Sequence, residues 1–405
     1  MTRAPEYQQT RPGSRVPAEV WVLVAASFVI ALGYGVVAPA LPEFARSFDV
    51  GIAAASAVVS AFAIMRLAFA PATGPIVRRL GERSGYMAGV LVVAVSTLAV
   101  AFAHSYWQLL LFRGLGGVGS VLFTVSSMGL MIRVAPVDIR GRISGVYSSS
   151  FVLGSISGPL LGGALVGFGL RVPFVVYAVA LVVAVAVVFL ALRHSQLARP
   201  EPVVAAAALT VRVALRDSAY RAAVVTALVF GWVYAMRVSL VPLFFATVLH
   251  QPDAIAGYAL ATYALGDVIA MFPAGRASDR FGRKPFLIAG MLVLAAGTVA
   301  LALSGSVLVA FVTTAISGLG TGMVSPNLQA VLADVLYGHG RSGSALSTYQ
   351  MAQDAGTITG PLVAGAIAQG LGFSWAFGVT AVLAVLAAVV WLPARESLRR
   401  AVPDA

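Results

Sequence analysis

The 405-residue chain is 60% apolar and only 10% charged, against roughly half apolar and a quarter charged in soluble domains. With a mean hydropathy of +0.93, this composition excludes a soluble enzyme, and the absence of cysteine excludes disulfides, thiolate metal sites and cysteine nucleophiles together. The net charge of +12 is not gathered into a basic stripe with interleaved aromatics, so no nucleic-acid partner is expected.

A spanning helix takes about 20 predominantly apolar residues, and twelve such stretches follow one another. They cover residues 20–42, 52–77, 85–103, 107–132, 143–167 and 172–192, then 222–248, 256–275, 285–304, 307–333, 343–369 and 373–393. The predicted fold is an all-α polytopic membrane protein built as two six-helix bundles, 20–192 and 222–393. Residues 1–19 read as a polar, basic tail with no small-residue cleavage site after the first apolar run, so span 1 is expected to be a retained anchor. Residues 193–221 read as the linker between the bundles, its 203–209 stretch being either a short interfacial helix or plain connection, and 394–405 as a second tail.

Loop arginines and lysines set orientation. Of the 27 basic residues, 22 fall on the side shared by the two termini, two (Arg46 and Arg171) on the other, and three (Arg66, Arg113 and Arg237) inside spans. Both termini are therefore expected in the cytoplasm, and most of the +12 is orientation code.

The two halves repeat. Residues 74–83 read GPIVRRLGER and 275–284 read GRASDRFGRK, at an offset of 201; residues 154–163 read GSISGPLLGG and 356–365 read GTITGPLVAG, at an offset of 202. Span 1 ends in Pro39 and Pro42, and span 7 carries Pro242 at nearly the same offset. Two parallel-related halves are a secondary-transporter pattern, with the substrate site between them near the bilayer midplane.

These residues resemble the major facilitator superfamily. Gly275, Asp279, Arg280, Gly282, Arg283 and Lys284 match its signature loop, and Gly74, Arg79, Gly81 and Arg83 match the first-half copy, where Arg78 stands in place of the family's Asp. Arg113, Gly117 and Gly119 in FRGLGGVGS resemble the buried-arginine motif of span 4. Gly154, Gly158, Pro159, Gly162 and Gly163 resemble the span 5 motif of antiporters, and Gly33, Tyr34, Pro39 and Pro42 the span 1 signature of twelve-span drug:proton antiporters. The resemblance implies proton-coupled export by alternating access. It assigns the loop Asp to a gate latch, which leaves the first-half latch in question, and it assigns the span 4 arginine a part in proton transfer. The span 5 motif also has a direct physical reading: glycines four apart let another backbone approach, and Pro159 bends the helix, as a resealing gate or simple close packing would require.

A charge at a span centre costs about 2.5–3.5 kcal/mol on insertion scales, so such residues face cavities or partners. The candidates are Arg66, Arg113, Arg237, Asp267 and Asp354. At the 201 offset Arg66 corresponds to Asp267, which leads to an expected Arg66–Asp267 pair, either a proton-coupling device or a permanent structural pair. Asp354 reads as a second proton carrier or as helix glue accepting from Ser347 and Gln350, and Arg237 as a ligand for an anionic substrate group or a partner of Asp354. Candidate cavity liners are Tyr34, Phe123, Met128, Tyr147, Trp232, Tyr234, Asn327, Gln329, Tyr349 and Gln353. This aromatic, weakly polar set suits amphipathic drug-like compounds better than a sugar site, with sugar or metabolite efflux as the alternative.

Other function classes fare worse. Two intramembrane aspartates admit an aspartyl-protease dyad, but nothing around Asp354 echoes a protease motif. His104, His194, His250 and His339 lie singly with no HExxH, and no GxxxxGK[ST] loop is present. No cofactor or metal is expected. The expected partners are a small-molecule substrate, protons and the bilayer, and the expected state is a monomer.

Overall fold

The computed structural model describes residues 18–134, 140–193, 211–336 and 343–398. The expected 203–209 stretch, most of both tails and the Met128 side chain lie outside the described residues. In lipid every backbone polar group must be satisfied internally, and the described chain answers with helices. They are α1 (Ala18–Val37), α2 (Ala40–Arg46), α3 (Ile52–Leu80), α4 (Glu82–Ala101), α5 (Tyr106–Val134), α6 (Arg140–Val166) and α7 (Val172–Leu192), followed by α8 (Val211–Ala214), α9 (Ser218–Thr247), α10 (Asp253–Phe281), α11 (Arg283–Ala302), α12 (Val307–Leu336), α13 (Gly343–Leu371) and α14 (Phe373–Val390).

All but the short α2 and α8 stand at the twelve expected spans. Span 1 is broken at Ala38 and Pro39, and α2 completes it. Ten spans are long and apolar enough to cross a membrane. Of the other two helices, α13 is 29 residues long but carries Gln350, Gln353 and Asp354, and in α6, 27 residues long, the Ile156–Val166 stretch is apolar.

The same packing scheme occurs twice. In the first half α1 packs on α6, α4 on α5 and α7, and α3 on α5; in the second, α9 packs on α13, α11 on α12 and α14, and α10 on α12. Between the halves, α3 packs on α13 and α6 on α10. Glycine lets these backbones meet: a Cβ on Gly117 would strike the carbonyl of Phe62, and one on Gly318, its mate at the 201 offset, that of Tyr263.

The printed contacts between α3 and α13 lie toward the start of α3 and the end of α13. Ser60 Oγ donates to the carbonyl of Ile358 (2.7 Å), and the Ala53 N–H to Gln369 Oε1 (3.0 Å). On the other flank Gly163 of α6 meets Gly257 of α10, and a Cβ on Gly163 would come 2.9 Å from the Ala254 carbonyl. Among the described residues the halves therefore close on the face opposite the α3–α4 and α10–α11 turns.

Candidate functional site: two cavities between the halves

Two cavities lie where the halves meet, of about 290 Å³ and 330 Å³. Tyr34, Tyr234 and Gln353 line both, and Tyr34 and Tyr234 interact through their side chains, so this pair partitions one space from the other.

The first cavity takes its polar groups from α3, α5 and α13. Arg113 is 8% exposed; its guanidinium carbon lies 4.4 Å from the Phe62 ring centre and 5.7 Å from that of Tyr34. Arg66 Nε stands 4.0 Å from Asp354 Oδ1, to which Gln350 Nε2 donates at 3.4 Å. The apolar wall includes Phe123, Val90, Val93 and Leu181, and Tyr177, whose hydroxyl donates to the Ile30 carbonyl (3.2 Å).

The second cavity is built by α9, α10 and α12 against α1 and α6. The Arg237 guanidinium lies 3.8 Å from the Tyr263 ring centre and 5.2 Å from that of Tyr234. Arg237 is the cation whose field reaches Asp267, and Asp267 Oδ1 is buried without a hydrogen-bond partner. Tyr263 is hydrogen-bonded to Thr321. Phe62 and Tyr263 are mates at the 201 offset, and Tyr34 and Tyr234 at 200. Each arginine thus faces the same aromatic pair of its own half, although Arg113 comes from α5 and Arg237 from α9.

Several expectations are corrected. Arg66 pairs with Asp354, not Asp267, because α3 packs across the halves on α13 while its mate α10 packs on α6. Arg237 likewise belongs to the second cavity and not to Asp354. Five expected liners border neither cavity. Trp232 turns to α14, where its indole N–H donates to Thr380 Oγ1 (3.0 Å). Tyr349 is buried in the core. Tyr147 pairs with Ser127 between α6 and α5 (2.5 Å). Asn327 Nδ2 donates to its own helix at Met323 (2.7 Å), and Gln329 is exposed. Phe62, Tyr177, Tyr263 and Thr321 were missed; the 201 repeat linking Phe62 to Tyr263 was a signal that could have found them.

Gly81 (φ +79°) and Gly282 (φ +103°) occupy backbone conformations that favour glycine and let α3 and α10 reverse directly into α4 and α11. In the second half Arg283 bonds Asp279, Ser278 Oγ (2.8 Å) and approaches Asp334 Oδ2 (3.6 Å), whereas Arg280 is exposed and Gly275 lies against Pro326. In the first half Arg79 is exposed and Gly74 lies near the Arg78 side chain. Arg83 reaches the Phe189 carbonyl (3.4 Å) at the end of α7, as Lys284 reaches those of Leu392 (2.7 Å) and Ala394 (3.0 Å) after α14. The span 5 glycines divide: Gly154, Gly158 and Gly162 seat on α1, while Gly163 and the Pro159 carbonyl meet Gly257 of the other half.

Against known proteins, the Major Facilitator Superfamily model matches residues 23–258 and 239–405. The chain belongs to that superfamily. It is a multi-pass membrane protein; Asp267 and Asp354 line different cavities, so the two carboxyls form no dyad. Among its relatives is multidrug resistance protein 2 of Bacillus subtilis, 30% identical over 170 residues, 42% of each chain. The chain thus spans about two fifths of that relative, and 62% of a human chromaffin granule amine transporter at 25% identity. Multidrug resistance protein MdtG of Dickeya zeae matches more extensively, at 28% identity over 82% of this chain and 83% of its own. In fold, the chain is similar to a bacterial homologue of the lysosomal transporter Spinster in an inward-facing, unoccupied conformation, with a TM-score of 0.77, 18% identity, and 94% and 97% of the two chains covered.

Proposed function

We propose that the superfamily member exports amphipathic small molecules in exchange for protons, with both termini in the cytoplasm and the 20–192 and 222–393 bundles rocking about the two cavities. The observation that carries the reading is the pair of cavity-lining carboxylates, Asp354 beside Arg66 and Asp267 with an unpartnered oxygen. A carboxyl that alternates between an arginine or a buried site and water binds and releases a proton as the cavity switches sides. A membrane potential contributes about 2.3 kcal/mol per charge per 100 mV.

The arginine-rich loops support the orientation, and on that orientation closure opposite the signature turns corresponds to an inward-facing arrangement. The aromatic lining and the multidrug names of the relatives support amphipathic cargo over sugars. Arg113 acts on this reading beside the proton path, and the division of the Gly154–Gly163 motif makes Gly163 the gate contact and the other glycines α1 packing. A monomer suffices, because each half supplies the groups the other lacks.

In proteoliposomes an imposed pH gradient is expected to drive uptake of a fluorescent amphipathic dye, and the dye to dissipate the gradient. Flux indifferent to the gradient overturns the coupling, and transport of a sugar with no response to dyes overturns the cargo.

A further inference from the structure

Among the described residues the charges lining the two cavities do not balance: three arginines, Arg66, Arg113 and Arg237, stand against two aspartates, Asp267 and Asp354. Arg66 lies against Asp354 and Arg237 in the field of Asp267, which leaves Arg113. It is more than nine-tenths buried, its Nε has no hydrogen-bond partner, and among the described residues the groups around its charge are the Phe62 and Tyr34 rings, Tyr177 and Tyr234, with no carboxylate paired to it. Aromatic faces stabilise a guanidinium far less than desolvating an unpaired charge costs. A guanidinium also presents a planar fork of donors matched to a carboxylate, and here that fork borders an open cavity.

We infer that Arg113 receives the carboxylate of the transported molecule, so that the cargo is an amphipathic acid, zwitterions included, and not a permanent lipophilic cation. An anion there brings the cavity charges to neutrality, and Val90, Val93, Phe123 and Leu181 supply the apolar wall for the rest of the molecule. The inference rests on the amphipathic-export reading and narrows it.

The test is equilibrium binding to the purified full chain in detergent, with no gradient, using dansyl-phenylalanine, its methyl ester and tetraphenylphosphonium. The acid is expected to bind at least tenfold more tightly than the ester, and tetraphenylphosphonium to compete poorly. Arg113→Gln removes that preference, weakening the acid at least tenfold while the ester changes less than threefold. Where Arg113→Gln fails to fold, Arg113→Lys decides: the acid keeps a preference over the ester but loses at least threefold in affinity, since one point charge replaces the fork. Equal binding of acid and ester, tighter binding of the cation, or acid affinity untouched by either variant overturns the carboxylate assignment and leaves amphipathic export standing. Failure of all three probes to bind overturns both.

Discussion

The two signature turns share a backbone and differ in charge. Gly81 and Gly282 reverse the chain alike, and Arg83 and Lys284 both reach the carbonyl end of the last helix of their half. Between them the signs are inverted: Asp279, Arg283 and Asp334 correspond at the 201 offset to Arg78, Glu82 and Arg133. In the second half Arg283 is the cation between two acids. In the first, the Glu82 side chain lies against Gly129 of α5, as Arg283 lies toward α12. Coulomb attraction is unchanged when both signs are reversed, so the residues at these positions predict an inverted latch in the first half. Among the described residues the second half also carries a terminal clasp. Glu396 accepts from the N–H groups of Arg283 (2.9 Å) and Lys284 (3.1 Å) and so caps α11, Ser397 Oγ donates to Asp334 (3.0 Å), and Arg395 pairs with Asp217.

The largest expected effect lies in the cavities. Asp354→Asn and Asp267→Asn, measured separately as gradient-driven flux in proteoliposomes, are each expected to lose at least tenfold, about 1.4 kcal/mol of coupling free energy. A variant that keeps full coupling removes its half from the proton path.

Next comes the seal. Gly163 meets Gly257, and its repeat mate Gly365 meets Ser56, where a Cβ would stand 2.8 Å from the serine Cβ. Gly163→Val and Gly365→Val are expected to destabilise the arrangement closed at these contacts by about 1–3 kcal/mol, raising labelling of a cysteine introduced on the sealed side. Equal labelling of variant and parent would mean that these contacts do not close the protein.

The inverted latch is expected to matter about three- to tenfold, the range of a few partly exposed charge pairs. Glu82→Arg alone is expected to slow transport by that factor, and Glu82→Arg with Arg78→Asp to restore it to within about twofold. If the double variant is as slow as the single, the inversion has no electrostatic content.

The smallest effect belongs to the terminal clasp. Burial alone pushes Glu396 up, but the four backbone N–H groups of Arg283, Leu398, Lys284 and Ser397 outweigh it and hold its pKa below the ordinary value. Burial likewise raises Asp217, and the Arg395 and Ala219 bonds and the Arg395 charge more than reverse it. With folded pKa values depressed, their stabilisation is present above about pH 4 and is lost as pH falls through the folded values. Glu396→Gln is expected to lower thermal stability at neutral pH by about 1 kcal/mol, and the gap to narrow as the pH is lowered. A gap that widens in acid contradicts the clasp.

The twelve spans and the paired turns were legible because lipid demands about 20 apolar residues per helix and because a repeat shows directly in aligned letters. The five intramembrane charges stood out for the same reason, as groups hydrocarbon rejects. Their partners did not. Lipid is as apolar as a leucine core, so these helices carry no polar stripe to tell which face meets a neighbour, and Trp232 and Tyr349 looked as suitable for a cavity as Phe62 and Tyr263. The repeat itself misled when it matched Arg66 with Asp267. Residues at equivalent positions occupy equivalent places in the two halves, and α3 and α10 each meet a non-equivalent helix across the boundary. Spans, repeat and charge inventory are properties of a single chain read in order. The facing of Arg66 on Asp354, the aromatic seats of Arg113 and Arg237 and the arginine left without an acid arise only when one half is packed against the other.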